Sequence, residues 1–220
     1  MTTNSLPLLL ASASPRRRQI ISLLGLPFAV GVSPADEDAL QENYRGPVEK
    51  LGQWTAEQKA LAVHTLPEAA NSIVITADTT VLLDDEELGK PCDREHARRL
   101  LLSLRNRWHH VVTGVVVSAK LDGELRMLGA SCDTPVLMRN YSEAEIDAYI
   151  ATGDSMDKAG AYGIQHSRFQ PTERINGCYL NVVGLPLCTL VALLAEFNVF
   201  PVGRQRSGAA CPWSERCLRL

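Results

Sequence analysis

The chain has 220 residues, is 45% hydrophobic and carries a formal net charge of −3. That length fits one large domain or two small lobes, and that apolar fraction builds a core, which excludes a disordered chain. The mild negative charge excludes a nucleic-acid protein working by bulk electrostatics, so any basic site must be local, and no apolar run reaches membrane-spanning length.

A buried strand is predicted over 6–11. It leads into Ser12-Ala13-Ser14-Pro15-Arg16-Arg17-Arg18 and a helix over 15–24, which Gly25-Leu26-Pro27 ends. Ser14 is a good N-cap, and Pro15 suits the first helical position. The arginines then fall in the first turn, the wrong end for cations, because the helix dipole is already positive there. Such a misfit suits a turn built around an anion. Free N–H groups at a helix start bind phosphate, and arginine adds bidentate contacts. The alternative is a solvated basic turn. By the dipole alone, removing Arg16 or Arg17 leaves stability unchanged or slightly raised.

Residues 28–32 alternate like a second strand. The acidic stretch 33–46, with Asp36, Glu37, Asp38 and Glu42, reads as a loop. Residues 47–64 carry Val48, Leu51, Trp54, Leu61 and Ala62 at helical spacing and put Lys59 on that helix. Ile73-Val74-Ile75-Thr76-Ala77 is a β-branched strand ending before Asp78-Thr79-Thr80; another strand is expected at 81–83 and a turn over Asp84-Asp85-Glu86-Glu87. Gly89-Lys90-Pro91 closes that hairpin-like segment. An amphipathic helix follows over 93–104, then a strand over 111–118, a hairpin around Asp122-Gly123 and a strand near 135–138. Ser142-Glu143-Ala144-Glu145 is a capping box opening a helix to residue 151. Residues 152–163 are glycine-rich and irregular, Val182-Val183 is short and apolar, and 186–197 is the last helix.

Strands and helices mix without clean βαβ alternation, so the predicted fold is α/β with a mixed sheet flanked by helices. One domain is expected over 1–202. The stretch 203–220 has no periodicity and reads as a mobile tail. The six cysteines, Cys92, Cys132, Cys178, Cys188, Cys211 and Cys217, show no C-x-x-C pair, so free thiols are expected, with Cys211 and Cys217 the one pair the tail permits. Residues 1–7 lack the basic start of a secretory signal, and a cytoplasmic location is expected.

Asp78 directly follows its strand. A carboxylate there serves as a metal ligand or general base, or merely caps a turn. Lys90 in G-K-P and Lys59 on its helix read as solvated lysines or as phosphate contacts; no G-x-x-x-x-G-K-[ST] loop is present. In Asp157-Lys158-Ala159-Gly160-Ala161-Tyr162-Gly163-Ile164-Gln165 the glycines permit close approach. Tyr162 is able to pack on a base, and Gln165 can donate and accept at a pyrimidine edge. The alternative is a packed loop with structural glycines. The five histidines read as surface or packing residues. Together these pieces describe a pocket for a phosphorylated ligand. Arg16, Arg17, Lys59 and Lys90 supply cations, and Asp78 and Glu37 supply carboxylates, a set suited to magnesium-assisted phosphoryl chemistry.

The chain resembles the Maf family of nucleoside triphosphate pyrophosphatases, also called septum-formation-inhibitor-like proteins. The resemblance covers residues 8–200. It is carried by Leu10-Ala11-Ser12-Ala13-Ser14-Pro15-Arg16-Arg17, Ala77-Asp78-Thr79-Thr80-Val81, Gly89-Lys90-Pro91, Thr113-Gly114-Val115, the segment from Asp157 to Gln165, and Asn181-Val182-Val183-Gly184-Leu185-Pro186-Leu187, in that order. It implies two lobes around a nucleotide-binding cleft, and hydrolysis of a nucleoside triphosphate to the monophosphate and pyrophosphate. It makes Asp78 the proton acceptor, with Lys59 and Lys90 as its catalytic partners. It puts Ser12, Ser14, Arg16, Arg17, Thr79 and Gln165 at the substrate. Arg16, Thr79 and Gln165 mark the branch that takes dTTP and UTP, and Thr79 is the expected neighbour that orients Gln165. The family's early glutamate maps to Glu37, with Asp36 one register away. Glu37 and Asp78 then hold a divalent cation, magnesium or manganese. The chain departs from the family at Gln58, where glutamate is common, and at Trp108-His109-His110, where Thr-His-Glu is usual.

Two rival readings remain: a nucleotide-binding regulator of cell division without turnover, and a purine pyrophosphatase of the ITP or 7-methyl-GTP type. The presence of Asp78, Lys59 and Lys90 speaks for an enzyme, and Gln165 with Thr79 against purines. The expected partner is the nucleotide alone, without polymeric nucleic acid or membrane; a homodimer is allowed.

Overall fold

The computed structural model describes residues 6–201; the tail expected over 203–220, with Cys211 and Cys217, lies outside them. In chain order the elements are β1 (Leu8–Ala11), α1 (Pro15–Ser22), β2 (Phe28–Gly31), α2 (Glu37–Asn43) and α3 (Leu51–Val63). Next come β3 (Ile73–Leu83), β4 (Glu86–Glu87), α4 (Arg94–Leu104), β5 (Trp108–Leu121) and β6 (Glu124–Met138). The chain continues with α5 (Glu143–Ala151), β7 (Thr172–Ile175), α6 (Tyr179–Val183) and α7 (Leu187–Ala195).

One mixed seven-stranded sheet runs in the order β2-β1-β3-β5-β6-β7, with β4 beside the far end of β3. β1 lies parallel to both β2 and β3; β3, β5, β6 and β7 are antiparallel neighbours. Alternation along β3 splits its side chains between the two faces of the sheet. Ile73, Ile75 and Ala77 join α1, α6 and α7 in one apolar cluster. Val81 and Leu83 join α4 and α5 in a second cluster on the same face. On the opposite face α3 covers the sheet, with Ala56 and Ala60 against Val116 and Val63 against Val74. Among the described residues no helix is long and apolar enough to cross a membrane.

The mixed sheet and the helices at α1, α3, α4, α5 and α7 agree with the sequence reading, including the Ser142/Glu145 capping box. Four points differ. Residues 33–46 are not all loop, because Asp36 caps a short helix, α2. None of the residues in α2 is buried, so no apolar period announces it. The strand at 73–77 does not stop before Asp78: β3 runs unbroken through Asp78-Thr79-Thr80, since each pairs with Gly114, Thr113 or Val112 of β5. β6 starts at Glu124 rather than near residue 135, and β7 and the short helix α6 complete the C-terminal part.

Candidate active site

The cleft opens where β1 stops short. β1 pairs with β3 only as far as Leu10 opposite Ile75, and the pairing of β3 with β4 begins only at Leu82 opposite Glu87. Between them Thr76 to Thr80 have a ladder partner on the β5 side alone. Both faces of β3 reach the cleft through that gap, so Asp78 and Thr79, which point to opposite faces, both line it. The cleft measures about 690 Å³, within the usual size for a small-molecule site. It collects all ten site residues named from the sequence: Ser12, Ser14, Arg16, Arg17, Glu37, Lys59, Asp78, Thr79, Lys90 and Gln165.

Helix α3 delivers Lys59. A Cβ on Gly114 would lie 2.2 Å from the Gln53 Cα, so only glycine lets α3 rest on β5. Gly52, Ala56 and Lys59 then share one helical face toward the sheet. The Ala56 carbonyl accepts from Thr76 Oγ1 at 2.7 Å, which fixes the height of the helix. The Lys59 ammonium, 6% exposed, donates to Asp78 Oδ1 at 2.6 Å and lies 2.8 Å from Glu37 Oε1. Lys90, on the exposed rim, pairs with Glu37 Oε2 at 3.4 Å. Burial pushes the Glu37 carboxyl up, but Lys59 and Lys90 outweigh it and hold the group below its ordinary value. Of the two neighbouring carboxylates, Glu37 meets Lys59 and Lys90, whereas Asp36 Oδ1 accepts from Ala39 N to cap α2. Gln58 faces a separate surface groove beside Ala39 and Leu61, so the departure there leaves Lys59 untouched.

The arginines of α1 divide. Ser14 caps the helix, accepting from Arg17 N, and Ser12 Oγ accepts from Ser14 N at 3.3 Å. Arg17 turns inward and is half-buried. Its Nε donates to the Gly184 carbonyl at 2.8 Å, its Nη2 to Thr79 Oγ1 at 3.1 Å and its Nη1 to Ser12 Oγ at 3.4 Å. Burial lowers its guanidinium, partly offset by Asp78 and Glu37. Arg16 faces the cleft, 3.9 Å from an exposed Asp157 oxygen. The Thr79 hydroxyl is shared between Arg17 Nη2 and Thr113 Oγ1, the latter at 3.0 Å. The dipole argument therefore fails for Arg17. Arg17→Met is expected to cost about 1–3 kcal/mol, since the Gly184 carbonyl loses a charged donor. Arg16→Ala is expected to stay within about 0.5 kcal/mol of the parent, as exposed pairs contribute little. Thermal unfolding of the two variants checks the contrast.

Across the cleft lies the loop from Asp157 to Gln165. Tyr162 lines the cleft but is largely buried. It is 6% exposed and bonds through its hydroxyl to His109 Nε2 at 2.7 Å. Burial, reinforced by His110, pushes His109 down to about 4, so the partner is a neutral imidazole. The Gln165 side chain hydrogen-bonds the Tyr179 hydroxyl at the start of α6.

Several residues that shape the site escaped the sequence reading. Thr113 Oγ1 ties Thr79 to the Asn181 carbonyl at 3.1 Å, and buried Asn181 donates to the Val111 carbonyl at 2.7 Å. Glu87, raised by burial and by Asp78, accepts from Gln41 of α2 at 3.3 Å. The recurrence of Thr113 and Asn181 within the short motifs was their only signal.

A cleft with a buried lysine–aspartate pair, a second lysine and carboxylate on the rim, and an arginine at a capped helix start can hold phosphates and activate water. The protein-family model described as Maf-like protein matches residues 7–197. The chain is 42% identical over 200 residues to a dTTP/UTP pyrophosphatase of Dehalococcoides mccartyi (strain CBDB1), covering 90% of this chain and 86% of that protein. It is 44% identical over 191 residues to the dTTP/UTP pyrophosphatase of Dictyoglomus turgidum, covering 87% and 96%. A protein of the same name from Bacillus velezensis is 42% identical over 193 residues, covering 87% and 97%. With these matches running through every element that walls the cleft, the chain belongs to the Maf-like protein family.

Proposed function

We propose that this chain hydrolyses dTTP and UTP to the monophosphate and pyrophosphate, a cytoplasmic activity that clears surplus or non-standard pyrimidine nucleotides. The observation that carries this reading is the Asp78–Lys59 pair, set at 2.6 Å in a cleft whose opposite wall presents Gln165. The names of the relatives supply the substrate class. Asp78 takes the proton of the attacking water. Lys59, Lys90 and Arg16 neutralise phosphate oxygens as charge develops. Arg17, Ser12 and Ser14 hold the α1 start in the shape that receives them. The reading needs neither nucleic acid nor membrane.

The residues fit a magnesium or manganese ion. Glu37 and Asp78 bring carboxylate oxygens to the same lysine nitrogen, so both reach one point in the cleft. Among the described residues no third His, Cys, Asp or Glu joins them in a metal-holding group. Two carboxylates plus substrate phosphates is the usual way magnesium is held. When bound, such a cation neutralises phosphate charge and lowers the pKa of water.

The base reading rests on Gln165, whose amide can match the O4 acceptor and N3–H donor of uracil or thymine. Rates of pyrophosphate release with UTP, dTTP, CTP, GTP and 7-methyl-GTP should show kcat/KM highest for the first two. Gln165→Ala should narrow the preference for UTP over CTP by about 1–3 kcal/mol, the cost of a buried polar pair left unmatched. A parent enzyme that works best on 7-methyl-GTP overturns the substrate assignment.

A further inference from the structure

The loop that carries Gln165 has few regular backbone partners, yet it must hold an amide steady if that amide reads a base. One side chain outside the cleft grips it on both sides of Gln165. Tyr149, on α5 and 2% exposed, accepts from the Gly163 backbone N–H at 2.9 Å and donates to Asp154 Oδ2 at 2.8 Å. Its ring meets the His166 ring edge-on at 4.7 Å and stacks on Phe169 at 4.4 Å. Contacts to residues 163 and 166 thus bracket Gln165.

Behind the hydroxyl lies a set of ion pairs that reaches Arg16 through Asp157 at 3.9 Å. Lys158 donates to Asp154 Oδ1 at 2.9 Å, to the Asp154 carbonyl at 2.5 Å and to Asp157 Oδ1 at 2.6 Å. Lys158 also packs under Gly163. A Cβ there would meet its Cε at 2.9 Å and Asp154 Oδ2 at 3.0 Å, so a larger residue would press on the Asp154–Lys158 pair. Burial and Asp154 push the Tyr149 hydroxyl well above the ordinary tyrosine range, so it stays protonated and able to donate. A phenol that donates to a carboxylate and accepts from a backbone amide spends both of its directional bonds on placing the loop.

The Gln165 side chain itself bonds Tyr179. We propose that Tyr149 is a positioning residue for base selection: its hydroxyl, through Gly163 and the Asp154–Lys158 pair, fixes the loop backbone that presents Gln165 to the pyrimidine. This rests on the reading of Gln165 as the base-contacting group. The Tyr149 hydroxyl bonds Gly163 and Asp154, not Asp78 or Lys59, so its effect falls on recognition and not on proton transfer.

The test compares Tyr149→Phe, Gln165→Ala and their combination, with kcat and KM for UTP and CTP measured on each. Phenylalanine keeps both ring contacts and removes only the hydroxyl. Tyr149→Phe should raise KM for UTP roughly three- to tenfold and shrink the UTP:CTP ratio of kcat/KM by a similar factor, with kcat at saturation within about twofold. Added to Gln165→Ala, it should lower the ratio no further, because both act on one contact. Phe169→Leu, which removes the stacking partner and no hydrogen bond, should lower Tm and leave the ratio unchanged. If Gln165→Ala collapses the ratio and Tyr149→Phe leaves it intact, the positioning role is overturned while the reading of Gln165 stands. If neither changes it, that reading falls and the proposal with it. An equal loss on both substrates that tracks Tm, as in Phe169→Leu, assigns Tyr149 to folding alone and also overturns the proposal.

Discussion

Asp78→Asn is expected to lower kcat by about 10²–10⁴-fold, the range for loss of a general base. The change is isosteric, and β3 does not depend on the carboxylate: its backbone pairs with Gly114 whatever the side chain. The variant should therefore keep its fold. The direction of the stability change can be argued. Lys59 loses one of its two anionic partners but keeps Glu37 at 2.8 Å, so a modest destabilisation is expected rather than unfolding. Nucleotide affinity, measured by titration calorimetry in the absence of turnover, should change little, because Lys90, Arg16 and the α1 start remain. A variant keeping more than about a tenth of the parent rate would remove Asp78 from the role of base. Loss of nucleotide binding alongside turnover would instead make it chiefly a ligand of the metal or of the substrate complex.

Much of this site is legible in the sequence because its parts are local. Ser14-Pro15 sets the start of α1, and Arg16 and Arg17 beside it both line the cleft. What the local pattern hides is which arginine does what. Arg16 and Arg17 are neighbours in one turn, and distant partners, the Gly184 carbonyl 167 residues away and Thr79 Oγ1 62 residues away, go with Arg17 turning inward. Asp78 illustrates a different limit. The polar run Asp78-Thr79-Thr80 reads as a strand end, yet β3 passes straight through it. The polarity marks the place where β1 has stopped and the cleft begins, a fact about a neighbouring strand. Asp78 lines the cleft for that non-local reason. α2 was invisible because polar contacts hold it, namely Asp36 at its cap, Glu37 to Lys59 and Gln41 to Glu87. Tyr149 reads as one more apolar-face residue of α5. Only the folded loop shows that its hydroxyl has work beyond the core.

Lys59→Met is expected to be the most damaging single change outside Asp78, and to separate stability from chemistry. Lys59 is one of the least exposed charges in the cleft, and it lies between two carboxylates. Methionine fills the volume along α3 but leaves Asp78 and Glu37 facing each other without a cation. Removing one member of a buried pair typically costs about 3–5 kcal/mol. The 43% exposure of Glu37 lets water relieve part of that, so the low end is expected, near 3 kcal/mol or about 6–12 °C in Tm for a chain of this size. Turnover should fall by about 10²–10³-fold, the usual cost of losing one preorganised donor at a developing charge. The metal dependence gives the decisive reading. A divalent cation at Glu37 and Asp78 would replace the missing positive charge, so the rise in Tm on adding magnesium should be larger in Lys59→Met than in the parent. Equal rises in the two proteins, with turnover lost, would mean that the carboxylates do not share a metal and that Lys59 acts on the phosphates alone.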